Sequence, residues 1–69
     1  MQPHQLRVVQ EKAELDTKID SLASFTKLDL FKTGVADAEK LRMLRQLAIM
    51  QAYSQVLGER IAAFGGAHG

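Results

Sequence analysis

The chain has 69 residues, nine basic and eight acidic for a net charge of +1, and no cysteine. So short a chain buries too little surface to be comfortably stable alone. With disulfides excluded and its two histidines at opposite ends offering no metal-ligand cluster, oligomerisation is the remedy left. No basic block supports binding to duplex nucleic acid, no apolar run approaches the ~18 residues of a membrane span, and the opening MQPHQLRVVQEK lacks a signal-peptide core, so a cytoplasmic protein is expected.

The first helix is predicted over about 3–25. Pro3 suits a first helical turn, where its missing N–H costs nothing. Val8, Leu15, Ile19 and Leu22 recur at helical spacing and mark one buried stripe. Lys12 falls inside that stripe, where its methylenes can pack while the ammonium reaches outward. The remaining faces are charged, with Glu14 and Lys18 placed for an i,i+4 ion pair.

Between about 26 and 34 the period breaks. Ser24, Thr26, Asp29 and Thr33 offer caps and Gly34 a turn. Leu28, Leu30 and Phe31 are too apolar for a free loop, so a short helical turn folding back over the end of a hairpin is expected.

The second long helix is predicted over about 36–64, with Asp37 as an N-cap or first-turn acid. Met43, Leu47, Met50, Ser54, Leu57, Ile61 and Phe64 alternate at intervals of four and three, a coiled-coil-like seam. Gly65 and Gly66 are expected to stop the helix and open a flexible tail over 65–69. A short connection forces the long helices antiparallel. The fold class is therefore all-α, a single hairpin domain over 1–64. Leu41, Leu44, Ala48, Ile49, Ala52 and Val56 lie off the seam, more apolar surface than one hairpin hides, and such a surface marks a partner; self-association is the expected outcome.

No catalytic constellation is visible: there is no nucleophile–base set, no phosphate-binding glycine loop and no metal-ligand cluster, so neither an enzyme nor a cofactor is expected. The residues with ligand-binding chemistry are few. Tyr53 is either an edge-of-core aromatic with its hydroxyl in water or a platform on which a base stacks. Arg60, seven residues further on, and Arg45 carry guanidiniums that match phosphate, unless Glu59 and Glu39 pair with them. His4 and Arg7 start the first helix, beside the last turns of the second in an antiparallel hairpin, so Arg7, Arg60 and Lys12 can converge there. Gly58 costs ~1 kcal/mol against Ala inside a helix; close helix packing or the close approach of a ligand would offset it.

Two segments, RVVQEKAELDTKIDSLASF and LRMLRQLAIMQAYSQVLGERIAAF, together resemble a family of very small phage and prophage proteins. The shared pattern falls on Arg7, Val8, Val9, Glu11, Lys12, Glu14, Leu15, Lys18 and Ile19 in the first. In the second it falls on Gln46, Leu47, Met50, Tyr53, Ser54, Leu57, Arg60 and Ile61. These proteins look like the helical-hairpin domain of phage sponges that defeat CBASS and Thoeris immunity. The resemblance implies a multimer, often a hexamer, acting in the host bacterial cytoplasm. It would sequester cyclic oligonucleotides or cyclic ADP-ribose derivatives without cleaving them. On that reading Tyr53 stacks on a base, Arg60 and Arg7 take phosphates, and Lys12 adds charge from a neighbouring subunit. The alternative is a helical interaction module that inhibits a host defence protein directly.

Overall fold

Proline at the first turn, a 24-residue run of helix formers and a seam on one side give α1, Pro3–Thr26, in the computed structural model, which describes residues 1–66. Its start is tied by a reciprocal pair: the Gln5 N–H donates to the Gln2 carbonyl at 2.9 Å, and the Gln2 N–H donates to Gln5 Oε1 at 2.8 Å. A short α2, Asp29–Gly34, and a 30-residue α3, Asp37–Gly66, complete the chain. Every element among the described residues is helical. α3 continues through Gly65 and Gly66, neither with a left-handed backbone. The rest of the expected tail, residues 67–69 with His68, lies outside the described residues.

The two long helices run antiparallel. Ser54 of α3 donates to Asp16 of α1, and the methylenes of Lys12 lie over Gly58. Both crossings obey one register, which sets Glu11 level with Glu59 and Arg7 level with Ala63. The seam read from sequence is the contact face: Ser54 and Leu57 are buried and Met43, Leu47, Met50, Ile61 and Phe64 half-buried, against Val8, Leu15, Ile19 and Leu22 of α1.

The expected helical turn closes the end of the hairpin. Phe31 is buried, and its ring meets Phe25 edge-on with centroids 5.9 Å apart and planes at 85°. Lys40 then bonds the Lys32 carbonyl and reaches Asp37 Oδ1 at 3.3 Å, tying the end of α2 to the start of α3. The capping expectations need correction. Leu28, not a hydroxyl or carboxylate, occupies the cap position of α2. Thr26 and Thr33 instead turn their hydroxyls back to the carbonyls of Ala23 and Asp29. Asp29 and Asp37 sit within the first turns of α2 and α3, where their charge opposes the positive end of the helix dipole.

The molecule is a rod of 51 × 15 × 15 Å with little that is fully enclosed. Only Val8, Phe31 and Leu57 are buried apolar residues among those described, while Leu41, Ile49, Val56, Leu44 and Tyr53 are exposed along α3. Its accessible surface is 5091 Å². A compact monomer of this mass exposes roughly 4,300 Å², so one hairpin leaves uncovered an amount near the ~800 Å² that one partner contributes to a standard interface.

Gly58 shows what the missing side chain does. A Cβ there would meet Lys12 Cε at 3.3 Å and nothing else. The glycine makes room for the lysine stem, so helix packing is the tenant. Because a methylene can shift by a few tenths of an ångström, we expect Gly58→Ala to raise stability by up to ~1 kcal/mol through helix propensity, and Gly58→Leu to lower it by displacing Lys12. Denaturant titration of the two variants checks both signs.

Candidate functional site

Helical geometry sorts the polar side chains of the hairpin into three groups. At about 100° per residue, Lys12, Asp16, Ser54 and Gly58 fall on one flank of the helix pair. Arg42, Gln46, Tyr53 and Arg60 fall in one line along the other flank of α3. Arg45 belongs to neither, pointing toward the back of α3, away from α1.

The first flank is structural. Lys12 Nζ stands 2.7 Å from Asp16 Oδ2, and the buried Ser54 hydroxyl donates to the other carboxylate oxygen. Lys12, expected at the ligand, is engaged within its own hairpin and lies on the side away from Tyr53. The hydrogen bonds from Lys12 and then Ser54 hold the Asp16 carboxyl below its ordinary value of 3.8. A carboxyl with a lowered folded-state pKa stabilises the fold above its unfolded value and loses that contribution as pH falls through the folded one. Thermal melts between about pH 5 and pH 2 are therefore expected to show a shallower acid decline in Asp16→Asn than in the parent. Identical slopes would remove Asp16 from the acid response.

The second flank carries free chemistry. Tyr53 is 44% exposed, so its ring offers a face to solvent rather than filling the seam. Arg60 stands two helical turns along the same line, about 10 Å further by rise. Arg7 projects from the same flank of α1, about one turn from the level of Arg60. Neither arginine has an ion-pair partner among the described residues. Glu11 shares this flank near Arg60, and an anion bound there would sit beside that carboxylate.

Toward the closed end of the hairpin the line runs into a shallow groove of about 330 Å³, lined by Arg42, Arg45, Gln46, Ile49 and Met50. Arg42 Nε is held by Glu39 at 2.7 Å, which positions the guanidinium and leaves its terminal nitrogens free to donate. Sequence reasoning placed Arg45 in the site but passed over Arg42, Gln46 and Ile49. The signal was present: Arg42 lies eleven residues before Tyr53, three turns along one face. The ion pair expected from spacing and the alternative partners of the arginines do not form among the described residues. Glu39 takes Arg42 rather than Arg45, and no Glu14–Lys18 contact is made.

Three guanidinium groups, those of Arg7, Arg42 and Arg60, with an exposed phenol ring, an amide and an apolar floor on one flank can hold a flat, anionic molecule. No cluster of His, Cys, Asp and Glu able to bind a metal exists among the described residues, and no described helix is long and apolar enough to cross a membrane. Residues 2–63 match the family model described as Sequestin. No curated protein and no solved structure matches the chain.

Proposed function

Because the chain belongs to the Sequestin family, whose name denotes sequestration, we propose that it is a non-catalytic phage sponge. It binds cyclic nucleotide immune messengers, whether cyclic oligonucleotides or cyclic ADP-ribose derivatives, in the bacterial cytoplasm, so that the host effector stays off. The observation that carries this reading is the flank of α3. It sets an unburied Tyr53 in line with Arg60 and Arg42, with Arg7 beside them and no acid pairing Arg60 or Arg7 among the described residues. Tyr53 supplies a surface for a base, and the arginines supply forked donors for phosphates.

The flank by itself is open. A hairpin only 15 Å across has no room for an enclosed cavity, so the binding cleft forms where copies of the chain meet. The uncovered apolar surface of α3 supplies the drive for that meeting. Nothing in the mechanism turns the ligand over. Removal of a messenger needs only affinity and excess protein, and a nanomolar Kd corresponds to about −12 kcal/mol.

A thermal-shift panel of cyclic dinucleotides, cyclic trinucleotides and cyclic ADP-ribose isomers tests the reading. A ligand at a hundred times its Kd stabilises by about 2.7 kcal/mol, a rise of ~10 °C or more for a domain this small. If no member of the panel moves the transition, the sponge reading fails.

A further inference from the structure

The face of α3 turned away from α1 is self-complementary when read in both directions. Arg45, Ala48, Ala52, Val56 and Glu59 all lie there, all exposed. Their spacing is three, four, four and three, symmetric about Ala52. Leu41 and Ala63 extend the same symmetry outward, four residues beyond Arg45 and Glu59. Reversing the helix about Ala52 lays Arg45 on Glu59 and Ala48 on Val56. The two charged residues are unpaired within the hairpin among the described residues, and they are of opposite sign. A parallel pairing in register would instead set Arg45 on Arg45 and Glu59 on Glu59, which is repulsive at both ends.

We propose that two copies of this chain pair antiparallel through the back of α3 about a two-fold axis at Ala52, with Arg45 of each copy against Glu59 of the other. A two-fold contact uses the same patch on both copies. The alanines at the centre let the helices approach, and Leu41 and Val56 supply apolar contact on either side. The surface that one hairpin leaves uncovered is of the size such a contact needs.

The arrangement has a consequence for the proposed cleft. The axis stands perpendicular to the paired helices and maps each binding flank onto the same side of the dimer. Arg42 of one copy then comes level, within about one helical turn, with Arg60 of the other, and the two Tyr53 residues flank the axis. Each end of the composite face holds guanidiniums from both copies, an arrangement suited to a ligand with two phosphates and two flat groups. Arg45 becomes the wall between the cleft and the contact. This inference rests on the association and binding set out above, and ligand binding is measured separately from pairing so that each fails on its own.

Because the chain has no native cysteine, crosslinking reads the geometry directly. Helices packed about 8–10 Å apart bring facing Cα atoms into disulfide range. Ala52→Cys should give a disulfide-linked dimer on mild oxidation. Ala48→Cys alone should not, but Ala48→Cys mixed with Val56→Cys should. In sedimentation velocity, Arg45→Glu and Glu59→Arg should each weaken self-association by about tenfold or more, and the double variant should recover it. A dimer that forms without the Ala52 crosslink, crosslinking of Ala48→Cys to itself, or no recovery in the double swap overturns the proposed pairing while leaving ligand binding standing. A cyclic dinucleotide that binds with undiminished affinity to a non-associating Arg45→Glu variant overturns the composite cleft.

Discussion

Leu57→Ala should cost about 2–5 kcal/mol, the usual range for removing a buried leucine, and so unfold much of the population at moderate temperature. Leu57 is 0% exposed, the one large side chain wholly enclosed among those described, and it sits at the middle of the seam facing α1. A domain of this size seldom holds more than about 3–5 kcal/mol in its core, so the substitution approaches the whole margin. The melting transition is expected to fall by about 10 °C or more. Leu30→Ala serves as the comparison, since Leu30 is 61% exposed, and should change stability by no more than about 0.5 kcal/mol. Equal melting of the two variants would mean that the seam does not hold the hairpin.

The second large effect concerns the ligand. Arg60→Ala should weaken binding of the ligand identified in the panel by about 10- to 100-fold, since a charge-assisted hydrogen bond contributes about 1.5–3 kcal/mol. The fold should not suffer, because Arg60 is exposed and has no partner in the hairpin among the described residues. Arg60→Lys should recover only part of the loss: an ammonium keeps the charge but not the planar fork. Isothermal titration beside circular dichroism separates the two effects. Unchanged affinity in a folded Arg60→Ala protein would place the phosphates elsewhere on the flank, with Arg42 next in line.

How much of this was readable from the residues differs by scale. The α3 seam from Met43 to Phe64 stood out because its period is set by helix geometry alone. The same period left Leu41, Ile49 and Val56 outside, and they are exposed. Single-residue interactions were less legible, since they depend on what the other helix brings across. The role of Gly58 is visible only with Lys12 in place over it. The Asp16–Ser54 bond joins residues 38 positions apart that no local spacing connects. The cap expectations failed for a local reason: a threonine hydroxyl inside a helix finds the preceding turn's carbonyl nearer than a free N–H. Glu14 and Lys18 had the favoured spacing yet remain apart, and Lys12 took Asp16, the partner one turn along on its own face.

The candidate site was legible in its chemistry and less so in its extent. Arg7, Tyr53 and Arg60 share a flank, which the helical period fixes once the antiparallel register is known. Arg42 was hidden by its distance along the chain, and its alignment with Tyr53 emerges only when the helix is followed for three unbroken turns. Lys12 reads as an outward-reaching cation because its spacing puts it in the apolar stripe, yet Asp16 stands one turn along the same helix at 2.7 Å, a pairing that i,i+4 spacing alone makes readable.

The most direct test is to incubate the protein with an equimolar mixture of cyclic dinucleotides, cyclic trinucleotides and cyclic ADP-ribose isomers. The protein is then separated from free ligand and heated, and the released molecules are identified by mass spectrometry. The account predicts that one or a few of these molecules come off intact, in fixed proportion to the protein. Release of cleaved products, or of nothing at all from well-folded protein, would contradict it.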